Sequence, residues 1–268
     1  MSINPEKQEI IKQEGNVLVT ANPGTGKTLL LAYKYADLIK KGVDAKQILC
    51  LTFTEKAKKE MENRILEVIK EQNLSVDISN LNVFTFHSYA LDNIEENEIL
   101  STNLLRYTIL KYLKENEILY YSDEYLIDTI VPKMENLMRY LKSFGITPDK
   151  VDISEAKKFL EEGKNYTKEE IDKFAEDFLA IFENYEQIKN KRGVDYADLL
   201  IKFLALRETP EFDYVLVDEL QDVNIMEADI ALKSGKTFFA VGDKKPVSYT
   251  HLRAHETSLH LVCRLLLE

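Results

Sequence analysis

The feature that most constrains this chain is a glycine-rich octapeptide near its start, residues 21–28, which read ANPGTGKT. Small residues let successive backbone N–H groups close around a polyanion, and a lysine and a hydroxyl behind them complete a phosphate-binding loop. Gly24, Gly26, Lys27 and Thr28 supply these parts. A short apolar run precedes the loop and a helical pattern follows it, which is the order such a loop requires. The sequence therefore predicts a strand, a phosphate loop and a helix here.

Further strand signals along the chain predict a parallel sheet. Apolar runs at residues 48–53 and 82–86 stand on either side of a charged amphipathic pattern at 55–70. Two more apolar runs, at 213–219 and 236–243, come much later. Strands that alternate with helices are typical of a parallel sheet covered on both faces. We therefore expect an α/β fold.

The long segment between these strands has the pattern of one helix after another, from about Leu91 to Lys191. Helix start signals recur in it at Ser122, at Ser154, and at Thr167 with a glutamate three residues later. This pattern predicts an all-helical insertion within the α/β fold. The expected division is 1–90 and 192–246 for the α/β domain and 91–191 for the insertion.

A second motif supports the phosphate loop. The apolar run near residue 215 ends in VDELQD, so Asp218 and Glu219 directly follow a predicted buried strand. We expect Asp218 and Thr28 to hold Mg²⁺, and Glu219 to orient and deprotonate an attacking water. The two motifs together predict a nucleotide hydrolase, whereas the octapeptide alone would also fit an ordinary glycine turn.

Charge and composition exclude several classes of protein. The 268-residue chain has a formal net charge of −11, which argues against binding nucleic acid by bulk electrostatics but leaves room for a local basic groove. The chain lacks a long apolar stretch and a basic-then-apolar amino terminus, so we expect neither membrane insertion nor export. Cys50 and Cys263 are the only cysteines, which predicts no disulfide framework and fits a reducing cytoplasm.

Seven short motifs occur in an order and spacing that resemble those of UvrD/Rep-like superfamily 1 DNA helicases. They are INPEKQ, ANPGTGKT, ILCLTFTEKAKKEMENRI, FTFHS, DYADLL, VDELQD and AVGD, and the resemblance extends over nearly all of residues 1–245. The resemblance implies a RecA-like P-loop NTPase domain, called 1A, that is split by a helical domain called 1B. It also implies an ATP-dependent DNA helicase that uses Mg²⁺ and moves 3′ to 5′ along single-stranded DNA.

The resemblance also assigns residues to the nucleotide. Gln8 is similar to the glutamine that reads adenine in the family, since a side-chain amide can pair with N6 and N7 of adenine together. Lys27 would neutralise the β and γ phosphates, and Gln221 would sense the γ phosphate. The expected ATP-binding residues are Gln8, Ala21, Asn22, Pro23, Gly24, Thr25, Gly26, Lys27 and Thr28, and the expected catalytic residues are Glu219, Lys27 and Gln221.

Two of the motifs resemble the family's contacts with single-stranded DNA. Their matching residues are Thr52, Phe53, Thr85, Phe86 and His87. A hydroxyl can hold a phosphate and an aromatic face can stack on any base, which suits a protein that grips any strand. We weight the threonines and the histidine above the phenylalanines, because aromatic residues at strand ends usually belong to a core. Tyr196 and Asp198 match a further motif, DYADLL, whose role is partly structural.

Two alternative functions stay open at this point. The same motifs occur in helicase–nucleases of the RecB or AddA type, whose nuclease centre lies far downstream. A different class is a binding module, an ATP-dependent DNA clamp or regulatory protein whose carboxylate pair does not turn over ATP. An unrelated phosphate-loop protein such as a kinase fits least, because the DNA-contact motifs would then be coincidence.

The end of the chain departs from the family pattern. Pro246 stands where the family has a glutamine, and the next family motif does not follow. In the family a second RecA-like motor domain with an arginine finger comes later, and we expect it in the full-length protein. Residues 247–268 instead resemble a translated transposase-type sequencing adapter, so we expect them to be non-native. Their histidines lack the HExxH spacing of a zinc site.

Overall fold

The structure, a computed structural model, describes residues 4–95, 98–116, 122–151 and 167–243, and it divides into two units. One unit comprises residues up to Asn93 together with those from Lys202 onward, and the other comprises Ile94–Ile201. The helix start predicted at Ser154 and the segment 247–268 lie outside the described residues.

The first unit is built on a five-stranded parallel sheet. Its strands are β1 (Val17–Ala21), β2 (Ile48–Thr52), β3 (Asn82–Thr85), β4 (Phe212–Val217) and β5 (Gly235–Asp243). They lie in the order β1-β5-β4-β2-β3, and every adjacent pair is parallel. All residues of β2 are buried, as expected for an interior strand that is covered on both faces. The predicted α/β fold with a parallel sheet is confirmed.

Helices connect the strands and make up most of the second unit. In the described part of the chain they are α1 (Pro5–Lys12), α2 (Lys27–Lys40), α3 (Glu55–Glu71), α4 (Phe86–Asp92), α5 (Asn103–Glu115), α6 (Asp123–Tyr125), α7 (Val131–Lys142), α8 (Lys168–Asn190), α9 (Tyr196–Ala205) and α10 (Ile225–Ser234). None of these helices combines the length and the apolar character needed to cross a membrane.

Side-chain caps fix where several of the helices begin. Thr54 accepts a hydrogen bond from the Ala57 N–H at 3.1 Å at the start of α3, and Thr85 forms a capping box with Ser88 at the start of α4. Helix α2 differs, because its N-cap is Gly26, which has no side chain to offer. The first N–H groups of α2 are therefore left for another partner at the loop, and an anion fits there.

The register of the sheet brings the sequence motifs to one edge. Parallel strands end at the same edge of a sheet, and open α/β folds bind ligands there. Ala21, which begins the glycine loop, lies beside Asp243 across β1 and β5. Thr52 lies beside Thr85 across β2 and β3. Strand β4 runs between these pairs, and Asp218 follows its last residue.

The core of the first unit lies between the sheet and the helices α2 and α3. Fully buried apolar side chains in it include Leu31, Tyr35, Ile48, Met61, Ile65, Leu216 and Val241. Burial of each such side chain contributes about 1.5–3 kcal/mol. Lys34 ties α1 to this core, because its ammonium donates to the Ile11 and Gln13 carbonyls at 2.8 and 2.7 Å. Helix α1 is thereby held close to the glycine loop.

The second unit, so far as it is described, has a helical core of its own. Helices α5, α7 and α8 contribute the buried side chains Ile109, Leu113, Met134, Leu137, Met138, Phe178, Ile181 and Phe182. Apolar residues at helical spacing on each element form this core, as the sequence pattern indicated. The all-helical character predicted for the insertion is confirmed for these residues.

The helix predicted after Ser122 is not uniform. Helix α6 passes through a π-helical turn, Leu126–Ile130, before α7 begins at Val131. Pro132 lacks a backbone N–H and cannot continue the α-helical ladder back to Asp128, so a wider turn precedes it. Helical periodicity in the sequence does not reveal such a local change.

Candidate active site

The phosphate loop joins β1 to α2. Gly24 and Gly26 both have a φ of 76°, in the left-handed region that glycine adopts without strain. A Cβ at Gly24 would meet no atom within 4 Å, so the backbone conformation, not crowding, requires glycine there. Residues 22–26 are exposed, so the loop is open to a ligand.

Lys27 is the first residue of α2, and a carboxylate holds it in place. Its ammonium forms an ion pair with Asp243 at the end of β5. Burial lowers the pKa of Lys27, but the hydrogen bond to Asp243 and the nearby charge of Glu219 outweigh burial, so the pKa is raised overall. Sequence reasoning did not assign Asp243 to the site, although it ends the AVGD motif. The strand register that pairs it with Ala21 brings it there.

The phosphate loop and the acidic motif meet directly. Thr28 Oγ1 donates a hydrogen bond of 2.8 Å to Asp218 Oδ2, across a sequence separation of 190 residues. Asp218 is 1% exposed. Burial raises the pKa of its carboxyl to about 6, because the Thr28 hydrogen bond and Lys27 offset the lost hydration only in part. A hydroxyl oxygen and a carboxylate oxygen beside a phosphate loop are the hard donors that Mg²⁺ prefers, so these residues fit that ion.

Glu219 and Gln221 continue the acidic motif. Glu219 has a φ of 52°, which is uncommon for a residue with a side chain and recurs at functional sites. Gln221 Nε2 donates to Glu219 Oε2 at 2.5 Å, and Gln221 Oε1 accepts from the Asp243 N–H at 2.7 Å. One amide therefore links the expected catalytic base to the partner of Lys27. A Cβ at Gly242 would lie 3.0 Å from Gln221 Oε1, so glycine permits this close approach.

Helix α1 carries two neighbouring residues near the nucleotide site, Lys7 and Gln8, and they lie in different surroundings. Lys7 Nζ donates a hydrogen bond of 2.5 Å to the Thr25 carbonyl and so reaches the phosphate loop. Gln8, the expected adenine-reading residue, is exposed and lines a pocket of about 250 Å³. The other residues of that pocket are Ile11, Lys12, Tyr33, Asp37, Lys40 and Gln72. Sequence reasoning missed Lys7 because only the structure shows which face of α1 is turned to the loop.

The residues expected to contact DNA lie where β2 and β3 end, and their aromatic rings differ in exposure. Phe53 is 45% exposed, and the side chain of His87 is 32% exposed, so both can meet a ligand. Phe86 is 1% exposed and lies beside a small apolar cavity that Val217 and Leu220 also line. Its ring belongs to the core, so the structure corrects the expectation that Phe86 stacks on a base.

Thr52 and Thr85 are buried as well. Thr52 Oγ1 donates to the Thr54 carbonyl at 3.3 Å, and Thr85 Oγ1 accepts from the Ser88 N–H at 3.1 Å. Both hydroxyls therefore serve a turn or a helix cap. The weighting of the threonines above the phenylalanines is reversed for Phe53, which is the most exposed of the five residues expected to contact DNA.

The first turns of α3 add positive charge beside Phe53. Lys56 and Lys59 are exposed, and Lys58 Nζ lies 5.4 Å from the centroid of the Phe84 ring. The exposed Glu55 and Glu60 stand in the same turns, so the three lysines leave only a small positive excess at the carboxyl ends of β2 and β3, where a lysine can pair with a phosphate group.

The DYADLL motif belongs to a different arrangement, which we call the buried ion cluster and which consists of Lys142, Glu186, Lys189, Asp195 and Asp198. Lys142 Nζ contacts Glu186 at 2.9 Å and Asp198 at 3.2 Å, and it also pairs with Asp195. Lys189 Nζ contacts Asp198 at 2.7 Å and also pairs with Glu186. Asp198 therefore fastens α9 to α7 and α8 within the second unit. Tyr196 of the same motif is half exposed.

Known proteins resemble the chain over most of its length. A family model described as the UvrD/REP helicase N-terminal domain matches residues 3–262. A "Probable DNA helicase II homolog" from Mycoplasma genitalium is 30% identical over 267 residues, which cover 91% of this chain and 35% of that protein. An "ATP-dependent DNA helicase PcrA" from Leuconostoc citreum is 25% identical over 261 residues, which cover 90% of this chain and 32% of that protein. The chain thus spans about a third of the length of these two relatives.

Proposed function

Because the chain belongs to the UvrD/REP helicase N-terminal domain family, we propose that it is the ATP-binding and hydrolysing part of a DNA helicase. The observation that carries this proposal is the hydrogen bond of 2.8 Å between Thr28 and Asp218. It joins the phosphate loop to the acidic motif, which lies 190 residues later in the sequence but in the same unit. The contact supports a shared site for two motifs that each need the other for nucleotide chemistry.

The nucleotide would sit across the loop and the carboxyl edge of β5 and β4. Backbone N–H groups of residues 24–28 would cradle its phosphates, and Lys27 would exchange Asp243 for phosphate oxygens. Thr28 and Asp218 would hold Mg²⁺, which when bound neutralises charge on the phosphates.

Hydrolysis would depend on Glu219 and Gln221. A carboxylate that follows the metal-binding Asp218 is well placed to orient a water and accept its proton. Gln221 contacts both the Glu219 carboxylate and the Asp243 backbone. A movement of Asp243, when Lys27 leaves it for a phosphate, would therefore shift Gln221 and with it the Glu219 carboxylate. This chain of contacts supports the expected role of Gln221 in sensing the γ phosphate.

Single-stranded DNA would cross the ends of β2 and β3. Phe53 offers an exposed ring for stacking, and His87 and the lysines of α3 offer donors to phosphates. We further propose that the full-length protein moves 3′ to 5′ along the strand and contains a second motor domain. The greater length of the relatives supports the second domain.

DNA-stimulated ATP hydrolysis by the full-length protein tests this function. Glu219→Gln should lower turnover by about 10²- to 10⁴-fold, because it removes the proton acceptor and keeps the shape. Glu211→Gln, at an exposed glutamate of the same unit, is the matched control and should leave turnover unchanged. Equal turnover in the wild type and Glu219→Gln would contradict the proposed mechanism.

A further inference from the structure

A buried glutamate next to the acidic motif is not accounted for by the proposed nucleotide site. Glu227 lies in the first turn of α10, and its Oε2 accepts a hydrogen bond of 2.9 Å from the Asn224 N–H. Asn224 Oδ1 in return accepts from the Glu227 N–H at 3.0 Å. This capping box fixes the start of α10 directly after the acidic motif.

The second carboxyl oxygen of Glu227 has no role in the cap. Glu227 is 1% exposed, and its Oε1 finds no hydrogen-bond partner among the described residues. Buried polar atoms in proteins are almost always satisfied, so an exception calls for a functional or structural explanation. His87 Nδ1 is the basic nitrogen that faces this oxygen, at 3.9 Å. The unsatisfied oxygen therefore points to the histidine expected at the DNA site.

Either protonation state of Glu227 can pair with His87. Burial and the charge of Asp222 raise the pKa of Glu227 to about 7, and burial lowers the pKa of His87. A protonated carboxyl can donate to the imidazole, and a carboxylate can accept from it. A movement of about 1 Å would bring the two groups to hydrogen-bond distance. The contact is thus poised to close when His87 moves.

The other end of this connection reaches the expected catalytic base. Asn224 is preceded by a tight turn in which the Asp222 N–H donates to the Glu219 carbonyl at 2.9 Å and the Val223 N–H donates to the Leu220 carbonyl at 3.2 Å. A shift of α10 would therefore be transmitted to the backbone of Glu219. The path runs from His87 across the 3.9 Å separation to Glu227, and from there through the hydrogen-bonded backbone of Asn224 and the turn before it to Glu219.

We propose that Glu227 is a positioning residue that couples single-stranded DNA bound at His87 to the nucleotide site at Glu219. The proposal rests on the proposed function, since it requires both ligands to bind. Coupling between two sites is reciprocal, so each ligand should raise or lower the affinity for the other by the same factor.

The test is to measure the affinity of the 268-residue chain for Mg·ADP with and without a short oligothymidylate, and the affinity for the oligothymidylate with and without Mg·ADP. In the wild type we expect each ligand to change the affinity for the other by about fivefold or more. Glu227→Ala should bring this factor close to one, while the affinity for each ligand alone changes by no more than about twofold. His87→Ala should also abolish the coupling, and the double variant should show no further loss.

Asn224→Ala is the matched control, because it breaks the same helix cap and keeps the Glu227 carboxyl. It should retain the coupling, and so should Glu227→Gln, whose amide can both accept from Asn224 and donate to His87. Full coupling in Glu227→Ala, or equal loss in Asn224→Ala, overturns the proposal. Independent binding of the two ligands to the wild type also overturns it and leaves the proposed function standing. Failure of the wild type to bind Mg·ADP overturns the proposed function and this inference with it.

Discussion

Lysines and carboxylates meet in two regions of the molecule, with opposite consequences. In the buried ion cluster, Lys142 and Lys189 face the three carboxylates of Glu186, Asp195 and Asp198. Burial raises the pKa of Asp195, but the two lysines outweigh burial and lower it overall.

In the nucleotide site one buried lysine, Lys27, faces the three carboxylates of Asp218, Glu219 and Asp243. There the pKa of Asp218 is raised to about 6, because burial is compensated only in part.

The difference lies in how the negative charge is matched. Each carboxylate of the buried ion cluster contacts at least one ammonium, so the cluster holds the second unit together. The nucleotide site has too little positive charge for its carboxylates, an imbalance typical of functional sites. A divalent cation would correct it. We therefore expect changes in the cluster to affect folding and changes in the nucleotide site to affect ligand binding.

The largest effect is expected from Lys142→Ala. It removes a buried ammonium that contacts three carboxylates, so the free energy of unfolding should fall by about 3–5 kcal/mol. Urea denaturation followed by circular dichroism measures this loss. Lys114→Ala, at an exposed lysine of α5 in the same unit, is the control and should change stability by less than about 0.5 kcal/mol. A loss below about 1 kcal/mol for Lys142→Ala would mean that the cluster does not hold the fold.

Lys27→Ala should affect nucleotide binding much more than stability, the opposite of the effect expected for Lys142→Ala. The loss of a charge-assisted contact with the phosphates should weaken Mg·ADP binding by about 100-fold. Unfolding free energy should change little, since Asp243 is partly exposed and can be hydrated. Calorimetric titration with Mg·ADP measures the affinity. Lys46→Ala, at an exposed lysine, is the control and should bind Mg·ADP as tightly as the wild type does. Unchanged Mg·ADP binding by Lys27→Ala would contradict a phosphate-binding role for this loop.

The sequence could predict the parts of this comparison that depend on local pattern. Glycines and a lysine between a strand and a helix predicted the loop, and Asp218 after an apolar run predicted a carboxylate at the sheet edge. Parallel strands carry both motifs to the same edge whatever the length of chain between them. The strand order, in which only β5 lies between β1 and β4, then brings Thr28 within hydrogen-bond distance of Asp218.

Other contacts depend on which face of an element is turned inward, and periodicity does not settle this for short elements. Lys7 reaches the loop because of the rotation of α1. Thr52 is buried because it ends β2, an interior strand of the sheet. Thr85 is buried because it ends β3 and caps the start of α4. The pairing of Lys142 with Asp195 joins segments that no sequence motif relates.

The pH dependence of folding offers a sharper comparison. The pKa of Asp195 is lower in the folded chain than its ordinary value of 3.8, so the folded state binds fewer protons there than the unfolded chain does. Its contribution to stability is therefore present above pH 3.8 and is lost as the pH falls below that value. Urea denaturation between pH 5 and pH 3 should show a shallower loss for Asp195→Asn than for the wild type. Identical slopes would show that Lys142 and Lys189 do not lower this pKa.

The smallest effect concerns α1. Lys7→Ala should weaken Mg·ADP binding by about threefold, because it removes one exposed hydrogen bond to the loop and one nearby positive charge. Gln8→Ala should lower the preference for ADP over GDP, because it removes the amide expected to read adenine. Parallel titrations of both variants with ADP and GDP decide which residue of α1 serves the nucleotide.

The most direct test of the account is whether Thr28 and Asp218 hold a divalent cation together with a nucleotide. Electron paramagnetic resonance with Mn²⁺ in place of Mg²⁺ measures cation binding to the 268-residue chain in the presence of ADP. We predict that the wild type binds the Mn²⁺–ADP pair, and that Asp218→Asn and Thr28→Val each weaken it at least about tenfold with little change in the affinity for metal-free ADP. Equal Mn²⁺ binding by the wild type and both variants would contradict the account.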